Sequence, residues 1–211
     1  MATSKAPTVQ TPRPSADATR ERILTEALEV FAERSFDGAS TREIATRAGV
    51  TQPLLNYHFT SKDELWRTAV DRIFEQLDDA LRTRVTGLRG VDQLTTAKLL
   101  VREFVHFSAR RPQLHRIITG EGKTDGPRMR WMTDRHTRRL YEATEAIFAP
   151  LAEQGLVAPM PFANLYYILT GAGPHMFVLG PEFQRVTGLD PNDDDVIERH
   201  ADAIIGLLFN E

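Results

Sequence analysis

Between Gly49 and Phe59 the chain reads GVTQPLLNYHF, setting Thr51, Gln52, Asn56, Tyr57 and His58 beside only Leu54, Leu55 and Phe59 as side chains fit for burial. A helix this short does not hold itself together in water, so its neighbours must order it and its polar side must face a partner. The side chains suit a duplex. The Gln52 amide has the donor and acceptor pair that adenine presents in the major groove, and Pro53 offers a flat apolar surface to a thymine methyl. Arg42, just upstream, reaches a guanine edge or a phosphate. Thr41, Thr51, Tyr57, His58 and Lys62 supply the donors that hold phosphates, and helix starts near Thr41 and Ser61 add backbone N–H groups.

Other chemistries find less support. There is no cysteine, hence no disulfide framework, thiolate nucleophile or zinc–cysteine site. The six histidines lack metal-ligand spacing and no nucleophile elbow occurs, so neither a catalytic function nor a cofactor is expected. Paired carboxylates such as Asp78 and Asp79 fall on charged helix surface. The segment GEGKT at 120–124 looks like part of a phosphate-binding loop, but that motif needs a glycine where Ile117 stands, and a preceding strand.

Composition sets the frame. With 211 residues, 41% hydrophobic and 26% charged, the chain is expected to be a globular protein with a sizeable core. Its first residues, MATSKAPTVQTPRPS, lack the apolar stretch of a signal peptide, and no run is long enough for a membrane helix. A cytoplasmic, prokaryotic protein is expected, with no membrane partner. The net charge of −3 decides nothing about nucleic acid, but its distribution does. From Ser40 to Lys62 three bases (Arg42, Arg47, Lys62) oppose Glu43, a local +2; from Asp190 to Asp202 six acids oppose Arg199, a local −5.

The elements that must position these residues are helical throughout. Ile23, Ala27, Val30 and Phe31 form a helix-period stripe, widened by Leu24 and Leu28. A second helix runs from Thr41 to Ala48, with Ser40 as cap and Glu43 placed for a capping box; a long helix, 61–85, opens on SKDE in the same way. TGLRG at 86–90 loosens the chain. Further helices are predicted at about 92–110, 112–119, 127–153, 161–179 and 194–209, with Gly180-Pro181 among the breaks between them. Ala45, Gly49 and Val50 have the sizes that two crossing helices need, while Leu55 and Phe59 hold the third helix down: the arithmetic of a helix-turn-helix.

Residues 20–66, RERILTEALEVFAERSFDGASTREIATRAGVTQPLLNYHFTSKDELW, resemble the DNA-binding domain of TetR-family (tetracycline-repressor-like) transcriptional regulators. The resemblance rests on the first helix, on IATRAGV and on YHFTSKDEL. It implies an all-α fold: an N-terminal three-helix domain with the helix-turn-helix, and a C-terminal helical domain for ligand binding and dimerisation. The expected boundaries are a disordered arm at 1–15, a DNA-binding domain at 16–66 and a ligand-binding domain at 67–211, linked by helix 61–85. By position, Arg42, Gln52 and Pro53 read base edges, and Thr41, Thr51, Tyr57, His58 and Lys62 hold phosphates. Two positions depart from the pattern. Ser35 replaces a common glycine, at an expected small cost, and Asn56 replaces a common tyrosine, leaving an amide that could read a base.

The expected function is a dimeric regulator, a repressor by expectation, that binds an inverted repeat in double-stranded DNA and responds to a small hydrophobic or amphipathic effector. The alternative is a helical module whose hairpin contacts protein. Helix 161–179 is apolar nearly all round, and helix 194–209 carries Ile197, Ala201, Ile204, Leu207 and Leu208 on one stripe, so both are expected in a homodimer interface. Gly171, Ala172 and Gly173 permit close approach there, and Pro174 is expected to kink its helix. Candidate pocket residues are Phe104, Phe107, Trp131, Met132, His136, Tyr166 and Met176, with His136 expected to turn a polar tip toward apolar surroundings. The five arginines of 128–139 are read as a solvated or interface face, a grip on a phosphorylated ligand being the lesser alternative. In the N-terminal arm, Lys5 and Arg13 could reach a minor groove, a solvated tail being the plainer reading.

Overall fold

The computed structural model describes residues 15–210, and the arm with Lys5 and Arg13 lies outside them. Among the described residues the architecture is all-α. Helix α1 (Ala16–Gly38) starts where the Ser15 hydroxyl accepts from the Ala18 N–H. Its predicted stripe, Ile23, Leu24, Ala27, Val30 and Phe31, is buried. Helix α2 (Thr41–Arg47) packs on it, α3 (Gln52–His58) packs on α2, and α4 (Lys62–Val85) leaves this unit to form a wall of the next. No described helix is long and apolar enough to cross a membrane.

The second unit contains α5 (Gln93–Arg110), α6 (Pro112–Glu121), α7 (Pro127–Met132), α8 (Arg138–Glu153), α9 (Phe162–Val178), α10 (Gly180–Thr187) and α11 (Asp194–Leu208). Helix α5 is central, packed on α4, α9 and α11. At Gly173 a Cβ would lie 3.4 Å from the Phe104 ring, so glycine lets α9 approach α5 closely. An isolated antiparallel bridge, Val157 with Phe209, ties the α8–α9 loop to the end of α11.

Several local expectations change. Ser40 caps the Arg42 N–H, but Glu43 completes no capping box: Arg34 and Arg47 hold its carboxylate instead. At α4 only half of the box forms as expected: Ser61 Oγ accepts from the Glu64 N–H at 3.0 Å, but Glu64 Oε2 reaches past the cap to accept from the Thr60 N–H at 2.8 Å. The single predicted helix 127–153 is interrupted by a π-helical turn, Thr133–Thr137. Gly180-Pro181 opens an additional helix, α10, because proline in a first turn loses no hydrogen bond; α10 then ends at Gly188 with φ 76. Pro174 lies buried inside α9 with helical residues on either side.

Ser35 carries a cost that the sequence reading set too low. Its φ of 59 and ψ of 173 place it in a region that essentially only glycine occupies without strain. The conformation turns Phe36 back onto Phe31, with ring centroids 5.9 Å apart.

Candidate nucleic-acid interface and ligand cavity

The helix-turn-helix is assembled from small residues at the crossing. Ala45 and Ile44 are buried, Gly49 takes φ 62, and the Val50 N–H donates to the Ala45 carbonyl at 2.9 Å, closing the turn. Thr51 caps α3 through its side-chain oxygen, and Pro53 sits in the first turn. Leu55 and Phe59 are buried beneath α3, with the Arg20 guanidinium 5.2 Å from the Phe59 ring centroid.

Above that floor Arg42, Thr51, Pro53, Asn56 and Tyr57 are exposed, Tyr57 at 80%. Thr41, His58 and Lys62 are half-buried. Lys62 Nζ stands 4.6 Å from the Phe36 ring centroid and 3.4 Å from the Asp37 carbonyl, which anchor it at the start of α4. Gln52 differs from the expectation of an outward probe. It is half-buried, and its Nε2 donates to Thr41 Oγ1 at 3.2 Å and to Asn56 Oδ1 at 3.1 Å. The amide bridges two helices, and the exposed carboxamide of α3 is that of Asn56. Arg47, counted in the local positive charge, is also committed: it pairs with Glu33 and Glu43, both at 2.8 Å, clasping α2 to α1. Its hydrogen bond to Glu33 holds that carboxyl below the ordinary range and raises the guanidinium.

The second unit holds a cavity of about 630 Å³ walled by α4, α5, α6, α7, the π-turn, α8 and α9. Phe74 and Leu77 come from α4, Leu114, His115, Ile118 and Thr119 from α6, and Tyr166, Thr170 and His175 from α9. A neighbouring chamber of about 280 Å³ shares Phe104, Leu140, Tyr166 and Thr170 with it. The larger volume is in the range that ligand sites occupy. Burial pushes the Tyr166 hydroxyl up to about 12, so it remains a neutral donor.

Of the candidate pocket residues, Phe104, Met132 and Tyr166 line the cavity. Phe107, Trp131 and Met176 are not among the lining side chains of either volume. Phe107 is core; Met176 packs against it; Trp131 lies against Trp66 at 5.5 Å, with Arg67 over its ring. His136 faces a smaller crevice, and its tip is satisfied rather than stranded: Nε2 lies 2.7 Å from Asp71. Sequence periodicity could not find Leu114, His115, Ile118 and Thr119, because α6 presents Ile117 to the core on its opposite side and reads as ordinary amphipathic helix.

The arginine-rich segment is a joint between the units and carries its own counter-ions. Arg128 pairs with Glu121 at 3.0 Å and lies 3.9 Å from the Phe36 ring centroid; Arg130 pairs with Asp125, Arg135 with Asp71, Arg138 with Asp134 and Arg139 with Asp78. The lysine of GEGKT, Lys123, follows the end of α6 and lines the cavity, with no strand before it.

The described residues thus tie a helix-turn-helix to a cavity-bearing helical unit. Residues 23–69 match the family described as bacterial regulatory proteins, tetR family, and the relatives that the chain resembles over most of its length are transcriptional regulators. The chain is 25% identical over 177 residues to the HTH-type transcriptional regulator RutR of Escherichia coli (strain K12), covering 84% of this chain and 82% of that protein. It is 35% identical over 107 residues to the HTH-type transcriptional activator FasR of Mycolicibacterium smegmatis, covering 48% and 46%. In fold it resembles the crystal structure of a TetR-like transcriptional regulator from Rhodococcus sp. RHA1, with a TM-score of 0.67 at 21% identity over 94% of this chain and 96% of that one.

Proposed function

We propose that this chain acts as a cytoplasmic homodimeric repressor: it binds an inverted repeat in double-stranded DNA and is released when a small, largely apolar effector fills the 630 Å³ cavity. We take residues 16–66 as the DNA-binding domain and 67–211 as the effector and dimerisation domain. Arg42, Pro53 and Asn56 face base edges; Thr41, Thr51, Tyr57, His58 and Lys62 hold phosphates, and Gln52 fixes Asn56. The observation that carries this reading is that α4 and α6 each belong to both units. Helix α4 starts beside α3 and ends in the cavity wall; α6 lines the cavity with His115 and packs on α1, with Gln113 Nε2 2.6 Å from Glu29 Oε1. A ligand that displaces either helix therefore moves the reading head.

The dimer reading is supported by an uncovered stripe. On α9 and at its C-cap, Tyr167, Gly171, His175 and Leu179 recur every fourth residue and are exposed, Tyr167 at 71%. On α11 the expected stripe is corrected: Ile197, Ala201, Ile204 and Leu208 are buried in the chain's own core, and Ala203, Gly206 and Leu207 are exposed, Leu207 at 53%. Small residues flanked by large apolar ones suit the close packing of helices from a second copy. Because the α9 stripe also lines the cavity, a partner seated there would lie over its open side. Two-fold pairing would in turn set two α3 helices about one duplex turn apart, which requires an inverted repeat.

A salt titration tests the DNA reading. Binding to a selected operator is expected to weaken log-linearly as salt rises, with a slope of several, since each neutralised phosphate contributes roughly 0.9 to it. A flat response would mean that the hairpin meets protein instead, and the reading would fail.

A further inference from the structure

Several polar side chains that line the cavity keep hydrogen-bonding capacity to spare: Thr137 Oγ1 has no partner, the Tyr166 hydroxyl is a free donor, and His115 is the group whose remaining capacity is an acceptor's. His115, on α6, is 6% exposed and lines the cavity. Its Nε2 lies 3.0 Å from Ser108 Oγ on α5, and the same Oγ lies 2.7 Å from the Phe104 carbonyl. A hydroxyl has a single proton. A carbonyl can only accept, so Ser108 donates to Phe104, and His115 Nε2 must then carry hydrogen and donate to Ser108. Burial pushes the imidazole down to about 4, so the ring is neutral. In a neutral ring with hydrogen on Nε2, Nδ1 is a bare acceptor. No side chain or backbone group among the described residues bonds to it, and the Phe104 ring, edge-on at 5.4 Å, holds the imidazole plane in place.

The remaining lining sets the charge of the occupant. Among the described residues no aspartate or glutamate lines this cavity; Lys123 is its one permanently charged side chain, and threonines 119, 133, 137 and 170, the hydroxyls of Tyr166 and Tyr167, and His175 provide the rest of its polarity. A cationic ligand would lose its hydration with no carboxylate to replace it.

Building on the effector reading above, we propose that the cavity selects a largely apolar molecule bearing a hydroxyl or N–H group, an alcohol or phenol in the simplest case, whose hydrogen bonds to Nδ1 of His115. His115 is then the specificity-determining residue, and Ser108 is a positioning residue that fixes the tautomer. A buried acceptor left without a donor penalises any analogue lacking the hydrogen, whereas the apolar walls alone discriminate weakly.

Isothermal titration of the full chain with three probes tests this: 4-heptylphenol, its methyl ether 4-heptylanisole, and decylammonium. The phenol is expected to bind about ten-fold more tightly than the ether, the worth of one buried hydrogen bond, and the ammonium more weakly than either. In His115→Phe the two aromatic probes should bind within about two-fold of each other, through gain by the ether and loss by the phenol. Ser108→Ala, which frees the tautomer and removes little volume, should narrow the same ratio without abolishing binding. Equal affinities in the wild-type chain, a ten-fold preference surviving in His115→Phe, or no heat from either aromatic probe would overturn the proposal. DNA is absent from this experiment, so such a result would leave the operator reading to the salt titration.

Discussion

His136 Nε2 lies 2.7 Å from Asp71 Oδ1, joining the π-helical turn to the middle of α4. Arg135 reaches the same oxygen at 2.5 Å, and the His136 ring stacks on Phe74 with centroids 4.4 Å apart. The turn that carries these two residues also carries Thr133 and Thr137, which line the cavity. A π-turn fits one extra residue into a helix and is found at functional sites. Here it lets four neighbouring residues serve two surfaces, the cavity and α4. Asp71→Ala is expected to cost about 1 kcal/mol, because it leaves the His136 imidazole without its partner while the exposed Arg135 returns to water. Since His136→Ala removes part of the same network, the double variant should lose less than the sum of the singles in urea denaturation. Strict additivity would show that His136 and Asp71 are neighbours without coupling.

The neutral state of His115 has a consequence for stability. Its folded value, about 4, is below the ordinary 6.5 because burial opposes charge. The unfolded chain therefore takes up a proton as pH falls through 6.5 while the folded chain does not. Stability is full above about pH 6.5 and declines toward pH 4, with a slope of up to roughly 1.4 kcal/mol per pH unit from this one group. His115→Phe should flatten urea midpoints between pH 6.5 and 4.5 relative to the wild-type chain. An unchanged slope would assign the pH dependence to other groups.

Ser35 is where the departure from the family pattern meets a physical constraint. At φ 59 and ψ 173 a serine is strained, and the conformation persists because Phe36 must reach Phe31 and receive Lys62 and Arg128 on its ring. Ser35→Gly relieves the strain but adds flexibility to the unfolded chain, and a net gain of about 1 kcal/mol is expected. Thermal unfolding at neutral pH measures it. A loss of stability would mean that the Ser35 side chain contributes more than its backbone costs.

The sequence was legible where one residue type answers one local demand. Gly49, Thr51, Pro53 and Ser61 occupy the positions their backbone chemistry requires, and the buried stripe of α1 has the predicted period. It was less legible where the demand comes from across the fold. Glu43 has capping-box spacing, but Arg34 and Arg47, brought in by α1 and α2, compete for its carboxylate. Trp131 and His136 belong to an aromatic set by composition, yet their partners are Trp66 and Asp71, more than sixty residues earlier. Nothing in the periodicity of α6 distinguishes the face on the cavity from the face on α1, because each mixes apolar and polar residues: Leu114, His115, Ile118 and Thr119 on the cavity, and Gln113 toward α1.

The amides of α3 permit a sharper test than either could alone. Asn56 is exposed, whereas Gln52 is half-buried and donates to both Asn56 and Thr41. If Asn56 reads a base while Gln52 holds it, Asn56→Ala should relax preference at one position per half-site, costing about 1–3 kcal/mol there. Gln52→Ala should weaken preference at that same position by less, and the double variant should match Asn56→Ala. Binding to operators randomised at single positions provides the measurement. Relaxation at two different positions with additive losses would show that Gln52 leaves Thr41 and Asn56 on binding and reads a base itself, and the positioning role would be wrong.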